Sequence, residues 1–106
     1  MLDAGDRFPV PQALRLASAP NPFERGTRVD YELASPGRVS LTVHDLHGAL
    51  VATLADGAMA PGRYSAAWNG ETSGGGRAAA GVYFVRLALS GAERNESRTL
   101  KLVMTR

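Results

Sequence analysis

Few residues in this chain have the types and spacing that chemistry needs. His44 and His47 flank Asp45 and Leu46, and two imidazoles beside a carboxylate suggest a cation site. The spacing argues against one. On a strand running into a turn, His44 and His47 do not converge on one point, and Asp45 is the sole further donor nearby. Asp45 reads better as a turn residue whose carboxylate binds backbone N–H groups. Gly74-Gly75-Gly76 has the composition of a phosphate cradle. Such a cradle needs a strand before it and a helix after it. Here Val82-Tyr83-Phe84-Val85 follows, which is β-branched and aromatic, so a hairpin loop is expected. Trp68 with Tyr64 or Tyr83 has the makings of a sugar-stacking platform, but the alternation around all three points them inward, as core. Phe84 has the opposite phase and is the better candidate for an exposed aromatic. Asp30 and Glu32 share a strand face with Arg28, which describes a solvated surface rather than an acid–base pair. No catalytic residue, metal ligand or cofactor site is assigned, and the expectation is a protein without enzyme activity.

The composition sets the frame that positions these residues. A chain of 106 residues makes one domain with one small core. The net charge is +2, arginine supplies nearly all of the positive charge, and the single lysine is Lys101. Acidic residues are interleaved with the arginines, which argues against nucleic acid as a partner. There is no cysteine, so disulfides and thiolate chemistry are excluded. No apolar run is long enough to span a membrane as a helix. The segment Met1-Leu2-Asp3-Ala4-Gly5-Asp6 is acidic and unlike a signal peptide. The chain is therefore expected either to stay inside the cell or to be part of a longer exported protein.

The pattern along the chain is that of short strands. Residues 1–12, with Pro9 and Pro11, read as a linker or extended lead-in, and 13–106 as the domain. A short strand is expected over 13–17, with Leu14 and Leu16 inward, before Pro20 and Pro22 break the pattern. Residues 27–33 alternate, with Val29, Tyr31 and Leu33 inward. Residues 38–44 do the same with Val39, Leu41 and Val43, and a tight hairpin at Asp45-Leu46-His47-Gly48 returns the chain over 49–54. Asp56-Gly57 and Pro61-Gly62 are expected to bound a loop. Residues 63–68 form the next strand. The longest apolar run, 80–89, is the central one, with Tyr83, Val85, Leu87 and Leu89 on its core side. The last strand, 97–104, turns Leu100, Leu102 and Met104 inward and Thr99, Lys101 and Val103 outward. About seven short strands with short connections predict an all-β, largely antiparallel sandwich.

The punctuation between these strands carries a resemblance. Asn21-Pro22-Phe23 precedes an alternating strand, and Pro36-Gly37-Arg38-Val39 leads to Asp45 and Gly48. Ala60-Pro61-Gly62 precedes a strand ending in Trp68-Asn69-Gly70. Gly75 and then Gly81-Val82-Tyr83-Phe84 follow, and a last strand bearing Lys101 runs to the chain end. The chain resembles the carboxy-terminal sorting domain of type IX secretion cargo, and it is similar to the Ig-like domain of the flagellar hook-capping protein. The resemblance implies an Ig-like sandwich at the end of a larger secreted or surface bacterial protein. It further implies a role as an address read by an outer-membrane translocon, with a fused cargo upstream. Asn69, Thr72 and Ser73 stand where that family often has acidic residues, which weakens the idea of a cation in this loop. The partners expected are proteins, either secretion machinery or neighbouring subunits. An edge strand offers unpaired backbone groups for strand addition, so the first and last strands are the candidate edges. On the last, Thr99, Lys101, Val103, Thr105 and Arg106 are the candidate partner-binding residues. Two rival readings use the same sandwich, one as a structural assembly domain and one as a glycan-binding or adhesion module.

Overall fold

The computed structural model describes residues 13–92 and 95–105. The lead-in expected over 1–12 lies outside the described residues, as does Arg106. Seven strands follow in chain order: β1 (Arg15–Ala19), β2 (Thr27–Leu33), β3 (Gly37–His44), β4 (Leu50–Met59), β5 (Gly62–Trp68), β6 (Gly81–Ser90) and β7 (Asn95–Met104). They form a three-stranded sheet of order β1-β2-β5 and a four-stranded sheet of order β4-β3-β6-β7. Every pairing in both is antiparallel. The long run that forms β6 is an interior strand, flanked by β3 and β7.

Period-two alternation decides which side chains meet between the sheets. Val29 and Leu33 of β2 and Val39, Leu41 and Val43 of β3 are all at zero exposure. Val85, Leu87 and Leu89 of β6 and Leu102 and Met104 of β7 complete the layer. One end of the core is aromatic. Trp68 takes Phe23 edge-on at 5.6 Å and Tyr83 edge-on at 5.4 Å, arrangements that suit the ring quadrupoles. The indole N–H of Trp68 donates to the Glu71 carbonyl at 2.8 Å, so burial leaves no orphan donor there. Tyr83, at the start of β6, donates its hydroxyl to the Ala79 carbonyl just upstream. That is the tyrosine corner found where sandwich strands change sheet.

Three strands differ by two residues or more from the expectation, and of these β7 simply starts earlier, at Asn95 rather than Ser97. β1 is displaced towards the carboxyl end, to Arg15–Ala19, because it pairs along Arg28–Glu32 of β2. Leu14 is buried just ahead of it, while Leu16 is half-buried at the sheet edge. Asp56-Gly57 does not start a loop. β4 continues to Met59, with Asp56 opposite Ser40 and Gly57 opposite Val39. Register shifts at Leu41/Thr42 and Val43/His44 absorb the extra residues, as β-bulges do. Arg38 holds Asp56 across the pair at 3.1 Å. Gly37 sits where a Cβ would meet the Ser90 carbonyl oxygen at 2.6 Å, so a close approach of β3 to the end of β6 requires glycine.

Candidate functional site

The last strand and the segment before β2 build one feature together. Pro20 and Pro22 have no N–H, so this stretch cannot enter a sheet as an ordinary strand. The Asn21 side chain supplies a substitute, because an amide carries a donor and an acceptor like a peptide unit. Its Nδ2 donates to the Lys101 carbonyl at 2.8 Å, and its Oδ1 accepts the Val103 N–H at 3.0 Å. The backbone then takes over: Phe23 N–H donates to the Val103 carbonyl at 2.9 Å, and Thr105 N–H donates to the Phe23 carbonyl at 2.8 Å. The Thr105 hydroxyl adds a bond to the same carbonyl at 3.2 Å. Phe23 bridges Met104 in parallel, and its ring is buried against Trp68. Thr27, buried, fixes the other end of the segment by donating its hydroxyl to the Pro20 carbonyl at 2.7 Å.

This corrects the expectation of an open edge over part of the last strand, from Lys101 to Thr105. The Lys101 carbonyl, the Val103 N–H and carbonyl, and the Thr105 N–H are already bonded to Asn21 and Phe23. Strand addition there would have to break those bonds. The structure also has more edges than the first and last strands, since β5 and β4 end the two sheets opposite β1 and β7.

What Thr99, Lys101 and Val103 do present is side chains on the outer face of the four-stranded sheet. The register places Leu50, His44, Phe84 and Lys101 in one row across it. The row above holds Thr53, Thr42, Arg86 and Thr99, and Val82 faces Val103 below. Leu46 and Leu50 are exposed at 65% and 56%, unusual for leucines, and lie at the hairpin end of this face. His44, Asp45, Leu46, Gly48, Phe84, Arg86 and Thr99 line a shallow pocket of about 340 Å³ there. Among the described residues, neither Arg86 nor Lys101 has an acidic partner, whereas Asp56 is held by Arg38. The face is thus an apolar corner beside two cations that form no ion pair among the described residues, with Asp45 lining the same pocket.

The remaining candidates are occupied structurally. His44 takes the Thr42 hydroxyl at Nε2 (2.9 Å) and the Gly48 carbonyl at Nδ1 (3.3 Å), which a proton on Nδ1 satisfies. Asp45 Oδ1 accepts from His47 N–H at 2.8 Å and Ala49 N–H at 3.0 Å. The Ala49 N–H, chiefly, holds the Asp45 carboxyl below its ordinary value. Gly48 closes this turn at φ 84°, a left-handed conformation that glycine adopts freely. Among the described residues, no three His, Asp or Glu side chains are placed to share an ion. In the glycine loop, Thr72, Ser73 and Gly75 spend their N–H groups on Gly76, Val51 and Thr72 carbonyls. Arg28 pairs with Asp30 at 3.0 Å and Arg63 with Glu32 at 3.5 Å. Tyr31 and Tyr64 stack at 5.4 Å, and burial, followed by the neighbouring Tyr64, raises the Tyr31 phenol above its ordinary value. Trp68 and Tyr83 are core, which leaves Phe84 as the aromatic of the outer face.

A family model for the FlgD Ig-like domain matches residues 19–93, most of the chain. The chain belongs to the FlgD Ig-like domain family. This FlgD Ig-like domain also superposes on solved structures. Dimeric latent PorU from Porphyromonas gingivalis gives a TM-score of 0.72 at 16% identity, covering 90% of this chain and 9% of PorU. FlgD from P. aeruginosa gives 0.60 at 23% identity, covering 73% of this chain and 59% of that one. FlgD from Xanthomonas campestris, described for hook capping in flagellar assembly, gives 0.56 at 26% identity, covering 89% and 63%. The domain thus spans less than two thirds of each of these proteins. No curated protein matches it significantly. No helix among the described residues is long and apolar enough to cross a membrane.

Sequence reasoning placed Asn21, Phe23, Lys101 and Val103 in the right elements but did not join them. The signal was there in Pro-Asn-Pro, where an amide side chain sits between two residues that cannot donate. By type and position in the sequence, Leu46 and Leu50 read as ordinary residues of the hairpin and its return strand. Their meeting with Phe84 depends on the register of β3 with both neighbours.

Proposed function

We propose that this FlgD Ig-like domain is a non-enzymatic sorting module of a larger exported bacterial protein, read by an outer-membrane translocon of the type IX kind. The observation that carries the reading is the outer face of β6 and β7, where Arg86 and Lys101, without an ion-pair partner among the described residues, stand near Leu46, Leu50 and Phe84. Burying exposed leucines and an aromatic against a partner is favourable at about 25 cal/mol per Å² of apolar surface. Flanking cations select an acidic partner and speed its approach. The locked carboxyl-terminal strand keeps Thr99, Lys101 and Val103 in a fixed array without offering its backbone. The likeness to part of PorU, a much larger protein, supports a module attached to upstream cargo.

Deleting residues 99–106 is a poor test, because it removes Leu102 and Met104 from the core. The informative experiment fuses the intact chain behind a signal peptide and a folded reporter in a type IX-secreting bacterium. The wild-type fusion is expected at the cell surface or in the medium. The Arg86→Glu/Lys101→Glu fusion, confirmed folded by urea unfolding, is expected to stay in the periplasm. Equal export of both, or retention of the wild type, overturns the proposal. A second reading, as an assembly domain, is supported by the likeness to the FlgD structures.

A further inference from the structure

The asparagines of the chain are Asn21, Asn69 and Asn95, and the fold treats them differently. An asparagine side chain reacts with its own main chain when the peptide nitrogen of the next residue reaches its Cγ. Asn21 is closed to that reaction. Its Oδ1 and Nδ2 are both bonded to β7, and the next nitrogen belongs to Pro22, which has no proton to lose. Asn95 begins β7 opposite Ser90, with Glu96 opposite Leu89, so the backbone there is extended and a Cβ flanks the next nitrogen.

Asn69 is placed otherwise. It is exposed just past the end of β5 and is followed by Gly70. Gly70 has φ 84°, and a Cβ there would meet Arg77 Nη1 at 3.1 Å, so the position takes glycine and no side chain shields the nitrogen. The Asn69 Oδ1 accepts the Glu71 N–H at 3.1 Å, a turn that folds the carboxamide back over the Gly70 peptide. It also sets a donor on the oxygen that becomes negative when Cγ is attacked, as an oxyanion hole does. Among the described residues, neither the Gly70 N–H nor the Asn69 Nδ2 makes a hydrogen bond, so nucleophile and leaving group are both uncommitted.

We infer that Asn69 is a site of spontaneous deamidation, an intramolecular acyl transfer that needs no second protein. The Gly70 nitrogen loses its proton and bonds to the Asn69 Cγ. The Cγ–Nδ2 bond breaks, and Nδ2 leaves as ammonia with that proton. Water then adds to one carbonyl of the resulting cyclic imide, the C–N bond at that carbonyl breaks, and the nitrogen regains a proton. Opening at Cγ gives aspartate at position 69. Opening at the backbone carbonyl gives isoaspartate, with the main chain rerouted through the side-chain methylene. Either product sets a new carboxylate near Arg77, whose guanidinium holds the Asn69 carbonyl at 2.8 Å and the Glu24 carbonyl at 2.7 Å. The isoaspartate also lengthens the main chain between Trp68 and Gly70. It displaces a carbonyl that Arg77 ties to Glu24, the neighbour of the Phe23 that closes the edge of β7. The domain thus carries a chemical mark that accumulates with age at the aromatic end of its core.

This goes beyond the sorting and assembly readings and is read without secretion machinery. The full chain is held folded in mildly alkaline buffer, with parallel samples held in urea. Proteolytic peptides are followed by mass spectrometry, and isoaspartate is identified by its methylation with an isoaspartyl methyltransferase. In the folded chain Asn69 is expected to convert on the order of tenfold or more faster than Asn95, and Asn21 to stay intact. Glu71→Pro removes the donor to Oδ1 and should slow the folded reaction by on the order of tenfold, while in urea, where the turn is lost, it should convert as the wild type does. A folded wild type in which Asn69 stays intact while the urea sample converts overturns the inference. So does one in which Asn95 keeps pace with Asn69, or a Glu71→Pro variant, shown folded by circular dichroism, that converts at the wild-type rate. Where Glu71→Pro fails to fold, the wild-type comparison of Asn69 with Asn95 decides alone.

Discussion

Asn21→Ala isolates the amide that stands in for a strand residue. The side chain makes two hydrogen bonds to β7, at 2.8 Å to the Lys101 carbonyl and 3.0 Å from the Val103 N–H. Each such bond contributes about 0.5–1.5 kcal/mol net. The site is exposed, so the groups left behind are hydrated and no burial penalty is added. The expected loss is therefore about 1–3 kcal/mol. With a urea m-value of roughly 1–3 kcal/mol/M, the unfolding midpoint should fall by about 1 M at unchanged slope. Stability alone does not locate the effect, so the deciding assay is amide hydrogen exchange. Val103 N–H points away from β6 and has Asn21 as its partner, so its protection should collapse in the variant. The neighbouring amide of Leu102, which belongs to the β6–β7 ladder, should keep most of its protection. Asn21→Asp separates the two bonds. It keeps an acceptor for Val103 but sets a carboxylate oxygen against the Lys101 carbonyl, so Val103 should stay protected while stability still falls. An Asn21→Ala variant with undiminished Val103 protection would refute the closed-edge description.

Two further outcomes follow from the same structure. Trp68→Ala removes a ring buried to 2% exposure that Phe23 and Tyr83 both meet edge-on, and should cost about 3–5 kcal/mol in urea unfolding followed by circular dichroism. Trp68→Phe keeps a ring and loses the bond to Glu71, so it should cost clearly less; equal costs would contradict the aromatic packing described. Asp45 is an acid whose carboxyl is depressed in the folded state, so its contribution is complete above the ordinary aspartate value and is lost as pH falls through the folded value. Wild type should accordingly lose stability below about pH 4 more steeply than Asp45→Asn, whose amide oxygen still accepts from the turn. Parallel acid-unfolding curves for the two would contradict that assignment.

Alternation alone determined most of this protein. Val29, Tyr31, Leu33, Val39, Leu41, Val43, Tyr83, Val85, Leu87, Leu89, Leu102 and Met104 are buried because a strand can turn only every second side chain inward. The hairpin at Asp45–Gly48 was legible for a similarly local reason, since its bonds close within a few residues. The extent of β4 was not local. Asp56 and Gly57 are turn formers by type, and only the opposing run of β3 from Gly37 holds them in a sheet. The state of the last edge depended on tertiary structure altogether. Asn21 and Val103 are 82 positions apart, and no spacing rule relates a side-chain amide to a strand that far along the chain. Strand phase is a property of neighbouring residues, whereas edge closure is a property of where two distant segments come to lie. The sequence could therefore say which side of β7 faces the core, and only the fold could say that Asn21 and Phe23 close its edge from Lys101 to Thr105.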